Sequence, residues 1–454
     1  MSRFSWPSLD GRSRIHPGFD MTSDKTEYQK VGDTPDTYVR YWVIFFAMTL
    51  AIITYIDRVC MSQAAPEIQK EFGLSDFQKG LLFSAFALAY GLFEIPTGWM
   101  GDRFGVRKVL MRIVLWWSFF TMLTGWARNY FVLLVTRFMF GAGEAGAFPN
   151  MTKMFAVWLP RREQTMAQGW MWLAARWGGA FTPLLVAFFI ENYSWRISFI
   201  FFGFLGIIWS IAFHFWYKDK PADHKKISMK ELSILPKPEE NVAHDAVPWE
   251  RILARKDVWL LWFQFFCLNY GACFYITWLP TYLLDYRGTT IREGAFLSGF
   301  PLFFGGIGSL VCGYLLAWLV RKMGLAGKAR KIMAVTGFVG ASCFLALSAF
   351  IGEPLWAMVA MGCSSFCNDL VMPPSWTACS DMGGRFCGTL SGSMNMVGQL
   401  ANVAMPALTG WLLGNLGFSW PIIICISACI YFLGGICWLF IESDQPVDIQ
   451  NKAI

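Results

Sequence analysis
An acid and a base stand side by side at Asp57 and Arg58, in "TYIDRVCMSQAAP" (54–66), directly after the uncharged run "YWVIFFAMTLAIITYI" (41–56). A charge at a bilayer centre costs about 2.5–3.5 kcal/mol on insertion scales, so such residues need a reason to be there. On a helix, neighbours project about 100° apart and pair poorly with each other. Each must therefore look to another helix or to a cavity. Arg137 and Glu144, seven residues or about two turns apart, share one face of another apolar segment. The small residues of "FMFGAG" between them let a neighbouring helix come close. Two guanidinium forks and two carboxylates within apolar segments can bind an anion and carry protons: arginine stays charged, while a desolvated carboxyl titrates upward. The competing reading is that these four only tie helices together. Buried ion pairs seldom add net stability, and intramembrane charges usually mark a pathway, so transport chemistry is the expectation.

The elements that must position them are long apolar segments. Of 454 residues, 55% are hydrophobic and only 15% charged, against about 25% charged in soluble domains. Apolar segments long enough to span a bilayer, about 20 residues each, recur near 41–65, 80–100, 109–127, 129–150, 168–190 and 195–217, then near 257–284, 292–320, 331–351, 355–380, 387–414 and 418–441. The fold class this predicts is an all-α polytopic membrane protein of twelve transmembrane helices in two six-helix halves. Its expected divisions are an N-terminal segment 1–40, a first half 41–217, a linker 218–256, a second half 257–441 and a tail 442–454. A paired layout suggests a site between the halves near the midplane. Arg103, Arg107, Lys108 and Arg112, the linker lysines, and Arg321, Lys322, Lys328, Arg330 and Lys331 fall on one side, which places both termini and the linker in the cytoplasm. The linker reads as helical around "SMKELSIL" and otherwise flexible, a hinge between the halves.

Other functions lose ground on the same residues. The net charge of +7 lies in one-sided loops and does not point to nucleic acid. The twelve cysteines sit scattered in apolar segments, where Cys behaves as a small hydrophobe, and His16, His214, His224 and His244 form no ligand cluster, so neither a metal nor a cofactor is expected. "GLAGKAR" lacks the spacing and the Ser/Thr of a phosphate-binding loop. No nucleophile–base or metal constellation suggests an enzyme. The first 40 residues have no apolar core of signal-peptide length, and Met21 opens a second polar start, which makes residues 1–20 a candidate mis-assigned leader.

One loop carries a longer pattern, "GWMGDRFGVRKVL" (98–110). Its Gly-x-x-x-Asp-Arg-x-Gly-x-Arg-Lys spacing resembles the signature loop of the major facilitator superfamily. Gly98 and Gly105 permit a tight turn. Asp102, Arg103 and Arg107 are expected to form a conformational latch, rather than only a basic topology-setting loop. The matching loop of the second half, "GYLLAWLVRKMG", keeps Arg321 and Lys322 but has Ala317 at the acidic position, so its latch should be weak or absent. "YIDR" (55–58), "SAFALAYGLFEIPTGWMGDRFG" (84–105), "RFMFGAGEAGAFP" (137–149), "ITWLPTYL" (276–283) and "PPSWTACSD" (373–381) resemble the anion:cation symporter branch, from about residue 40 to 441.

The resemblance implies a secondary transporter importing an organic anion, most of all a sugar acid such as a hexuronate, aldonate or aldarate, with protons. It implies a multi-pass protein of the cytoplasmic membrane that works as a monomer. By position, Tyr55, Arg58, Tyr90, Arg137, Ser375, Trp376 and Asn395 are the expected substrate contacts, and Asp57 and Glu144 the proton-coupling groups. Glu94 is expected to partner the loop latch, and Gln264 is a further polar candidate of uncertain register. Arg176, in the fifth segment, departs from the small neutral residues usual there. It is either a third cationic contact for a dianion or the ion-pair partner of Asp369 or Glu94. The rivals are a carrier of another organic anion, a multidrug or cation exporter, which two cavity arginines disfavour, and a membrane ligand sensor.

Overall fold
The computed structural model describes residues 37–236, 249–383 and 387–443, without the side chains of Ile95, Asp102, Arg161, Arg162, Thr165, Ser380 and 387–389. Twelve long helices carry the fold. In the first half these are α1 (Val39–Phe72), α2 (Asp76–Phe104), α3 (Val106–Gly125), α4 (Tyr130–Trp158), α5 (Arg161–Asn192) and α6 (Trp195–Trp216). In the second they are α7 (Lys256–Thr277), α8 (Ile291–Met323), α9 (Ala326–Phe350), α10 (Pro354–Gly383), α11 (Cys387–Gly414) and α12 (Trp420–Phe440). Ten of them are long and apolar enough to cross a membrane by length and composition alone. The other two are α2, with Asp76, Lys79 and Glu94, and α3, with Arg107, Lys108 and Arg112. These charges dilute the apolar signal without interrupting the helices.

Helix ends outrun the apolar runs because local caps, not hydropathy, set them. Gly73 closes α1 in the left-handed region (φ 63), and Ser75 opens α2 with a reciprocal capping box to Gln78. Asn129, Ser194 and Thr290 cap α4, α6 and α8.

The packing repeats itself. In the first half α1 lies on α5, α2 on α4, and α3 between α4 and α6; in the second α7 lies on α11, α8 on α10, and α9 between α10 and α12. The halves meet along two related seams, α2 with α11 and α5 with α8. At the end bearing the turns near 73–75 and 278–290 the seams are tight. Ser84 donates to the Val403 carbonyl at 2.7 Å, a Cβ at Gly80 would run into the Pro406 backbone, and the Lys79 ammonium lies 4.7 Å from the Trp278 ring. The basic loops lie at the other end.

The linker is less free than its composition suggests. Its short helix Met229–Ser233 delivers Glu231 to the start of α1, where the carboxylate accepts the Val39 and Arg40 N–H groups at 3.1 and 3.0 Å and the Arg40 guanidinium at 3.1 Å. An anion on unsatisfied N–H groups at a helix start is favourable. Arg40 also binds Glu163 of α5 at 3.0 Å. Residues before 237 therefore dock on the first half instead of hanging between the two.

Candidate functional site
α4 and α10, corresponding helices of the two halves, are both broken, and each break follows an acid. The first part of α4 ends at Glu144; Ala145 turns extended and Gly146 adopts φ 82, before Ala147–Trp158 resumes. Glycine is required there, both for that φ and because a Cβ would strike Thr97 of α2. Pro149 falls in the first turn of the resumed helix, where no N–H is needed. The Asn150 amide closes the break, donating to the Gly146 carbonyl at 2.8 Å and the Thr97 carbonyl at 3.3 Å. In α10 the first part ends at Asp369 and the second opens at Met372, with Pro373 and Pro374 in its first turn.

The Glu144 side chain, fully buried, meets Arg58 of α1: its Oε1 lies 2.6 Å from Nε and 2.5 Å from the nearer terminal nitrogen. The Arg58 guanidinium is ringed by Tyr90, Phe86, Tyr55 and Phe148 at 4.9, 5.3, 5.7 and 5.9 Å. Aromatic faces favour a partly desolvated cation, and guanidinium stacks on them especially well. A Cβ at Gly141 would meet the Phe86 backbone, so this crossing of α4 and α2 depends on glycine. Arg137, two turns earlier, is 2% exposed and lies over Phe86 and Phe140 at 5.2 and 4.5 Å, with no ion pair among the described residues. Asp57 is 1% exposed, and neither oxygen accepts a hydrogen bond of ordinary geometry among the described residues. Its charged neighbours are Glu144 and Arg137, and the Trp117 indole is beside it.

Asp57 and Arg58 thus diverge, as neighbours on a helix must, yet the arginines swap the partners expected of them. Sharing a helix face suggests Arg137 for Glu144, whereas the ion pair forms with Arg58. Glu144 closes the unbroken first part of α4, and its carboxylate reaches across to α1 instead of back along its own helix to Arg137.

Around this core the remaining candidates divide. Tyr55 and Tyr90 belong to it. Asn395 of α11 does not stand open to a ligand: its amide donates to Glu94 Oε1 of α2 at 2.7 Å, bridging the halves. Glu94, expected at the loop, instead faces Arg58 and Tyr90. Ser375 is fully buried in the second half, donating to Gln264 Oε1 at 3.2 Å, and the Trp438 indole donates to the same oxygen at 3.1 Å. Gln264, 0% exposed, is the hub of that interior, while Trp376 packs edge-on against Phe265 at 5.9 Å. Arg176 pairs with Asp369 and not with Glu94, its guanidinium 2.7 Å from Asp369 Oδ1 and both side chains buried.

Among the described residues, the signature loop makes its polar contacts with the first half and the start of the linker. Gly105 (φ 87) packs on Asp219, the Arg107 N–H donates to that carboxylate at 2.8 Å, and the Arg107 guanidinium donates to the His214 carbonyl. Arg103 is exposed over the Trp99 and Phe104 rings, and Gly98 has open space around it. The Asp102 side chain lies outside the described residues. Missed by motif alone are Phe86 and Phe148, although each stands one turn from a predicted residue, Tyr90 and Glu144.

Two six-helix halves packed around buried charge are the architecture of a multi-pass membrane transporter rather than an enzyme. The chain belongs to the Major Facilitator Superfamily, whose family profile matches residues 47–406. It is 34% identical over 416 residues to the probable sulfoacetate transporter SauU of Cupriavidus necator, covering 91% of this chain and 96% of that one. Similarity to the D-galactonate transporter of Escherichia coli is 30% over 421 residues, covering 89% and 96%. The hexuronate transporter of Bacillus subtilis is 28% identical over 378 residues, covering 83% and 88%. Among solved structures, an inward-facing bacterial homologue of the human lysosomal transporter Spinster matches with a TM-score of 0.69 and 17% identity, over 89% of this chain and 98% of that one, which shows the shared fold.

Proposed function
We propose that the protein imports an organic anion, most of all a sugar acid such as a hexuronate, aldonate or aldarate, together with protons, by alternating access. The observation that carries this reading is the buried Arg58–Glu144 pair at the break of α4, ringed by four aromatic side chains and flanked by Asp57 and Arg137. An anion reaching Arg58 competes with Glu144. The displaced carboxylate, desolvated and left without its ion-pair partner, is best accommodated by taking up a proton. Anion binding and proton binding then stabilise the same state, and release of one releases the other. Asp57, adjacent to Arg137 and Glu144, is the second candidate proton site.

Support for an anionic substrate comes from the names of the relatives: sulfoacetate, galactonate and hexuronate are all organic anions. The one-sided basic loops support a reading in which both termini and the linker face the cytoplasm and the carrier works as a monomer in the cytoplasmic membrane. In that orientation the tight end faces outward. Tyr55, Tyr90 and the Glu94–Asn395 bridge lie beside Arg58 and suit hydroxyl recognition. The latch role of Gly98, Asp102, Arg103, Gly105 and Arg107 stands as part of this proposal, acting through the end of α6. Uptake of D-galactonate, glucuronate and sulfoacetate into proteoliposomes under an inward proton gradient tests the reading. Accumulation that collapses with a protonophore supports it, and failure of all three anions overturns it.

A further inference from the structure
Each half ends the first part of its broken helix on a carboxylate, and each carboxylate holds an arginine. In the first half the partners are Glu144 and Arg58. In the second, Asp369 takes Arg176, which comes from α5 of the other half, at 2.7 Å. Room for this pair is made in α8: a Cβ at Gly305 would strike Asp369 and Ser365, and one at Gly306 would meet Trp177 at 2.8 Å. Arg176 borders Tyr55 and Tyr431. Tyr55 is also one of the rings around Arg58, so the two guanidinium groups flank one tyrosine. Arg176 and Asp369 are 6% and 1% exposed, and Asp369 Oδ2 accepts no hydrogen bond of ordinary geometry among the described residues.

A lone ion pair buried between moving halves is poor glue, because desolvation offsets most of its attraction. It is well suited to exchange. We infer that Arg176 and Asp369 form a second anion subsite, in which the far anionic group of a dianionic substrate replaces Asp369 on Arg176 while the near group occupies Arg58. This inference rests on the proposed organic-anion transport and narrows it to dianions. Asp369, once released, faces Tyr275 of α7, Tyr431 of α12 and Cys312 of α8, with no second cation beside it among the described residues. It therefore takes one proton from water, so a dianion moves with one proton more than a monoanion does.

D-Galactonate and galactarate share a six-carbon skeleton and differ at one terminus, a hydroxymethyl against a second carboxylate. Uptake of both, with sulfoacetate as a short dianion, is measured in proteoliposomes holding the full-length protein or the doubly neutral Arg176→Gln/Asp369→Asn variant. The galactarate-to-galactonate uptake ratio should fall at least tenfold in the variant. An unchanged ratio, or a wild type that excludes both dianions while carrying galactonate, overturns the inference and leaves anion transport standing. A wild type that moves none of the three overturns both. Asp369→Asn alone guards against misfolding of the double variant: with its competitor removed, Arg176 should bind galactarate several-fold more tightly. Loss of thermal stability with no such gain marks the pair as structural and ends the proposal.

Discussion
The two halves share one packing plan and differ in what they bury. Around its broken helix the first half buries Asp57, Arg58, Arg137 and Glu144, whereas the second buries Ser375, Gln264, Tyr275, Ser364 and Tyr431, with Asp369 as its one acid at the break. In the second half most of the neutral groups satisfy one another: Tyr275 donates to Ser364 at 2.9 Å, Ser364 donates to the Ala341 carbonyl at 2.7 Å, and Ser375 and Trp438 share Gln264, while the Tyr431 hydroxyl and Asp369 Oδ2 have no hydrogen bond of ordinary geometry among the described residues. In the first half charges are left over, with Arg137 and Asp57 lacking close partners among the described residues. Satisfied polar networks rigidify, while unsatisfied buried charge must be answered by a ligand or a proton. A duplicated scaffold can thus concentrate unpaired charge in one copy and leave the other mostly neutral, with Asp369 as its one acid at the break.

The largest effect that would break this contrast comes from Arg58. Losing one partner of a buried charge pair costs about 2–5 kcal/mol, and each 1.4 kcal/mol is a factor of about ten. Arg58→Gln and Arg137→Gln should each weaken sugar-acid binding at least tenfold in equilibrium binding to purified protein, and a neutral sugar should not compete. Unchanged affinity in a folded variant removes that arginine from the site.

Glu144→Gln sharpens the contrast differently, since it mimics the protonated acid permanently. Counterflow exchange of substrate should survive, while accumulation driven by a pH gradient disappears. A purely structural Glu144 predicts that both fail together.

At the neutral groups of the second half the expected effects are modest. Ser375→Ala removes one neutral hydrogen bond to Gln264, worth about 1 kcal/mol. It should lower the melting temperature slightly and change the uptake KM less than about fivefold by the same figure. A loss of binding as large as that of Arg58→Gln would erase the distinction between the halves.

The smallest effect lies where the linker docks. His224 is buried against the Trp158 and Trp216 rings, with ring centroids at 5.7 and 5.2 Å. Burial first, then Lys226 and Lys218, hold its pKa below the usual value. The folded state resists protonation while the unfolded chain accepts it, so this contribution is whole above the ordinary histidine pKa. It is lost as the pH falls from there through the depressed folded value. Melting curves of His224→Gln should flatten in that window, and an unaltered pH profile would detach His224 from the docking.

Much of this was legible in the residues. Apolar run length announced twelve helices, and "YIDR" and "RFMFGAGEAG" marked the first-half charges. The pairings were not legible. Helical spacing allows Arg137–Glu144, but the ion pair forms with Arg58, and only the three-dimensional packing of α1 beside α4 supplies that arginine. Glu94 reads as a loop residue because it precedes Pro96 and the signature glycines, yet it meets Asn395 some three hundred positions away. Sequence separation of that size carries no periodic signal. Arg176 was left with two roles until α8 showed the glycine slot that admits Asp369 beside it.

The central claim is that an organic anion and a proton are taken up through the Arg58–Glu144 pair as one event. Proteoliposomes loaded with a pH-sensitive dye and given an inward gradient of D-galactonate, glucuronate or sulfoacetate, with no imposed pH gradient, test it most directly. The account predicts lumenal acidification that tracks uptake of at least one of these anions and disappears in Arg58→Gln and in Glu144→Gln. Uptake with no change in lumenal pH, or acidification of wild-type size in either variant, would contradict it.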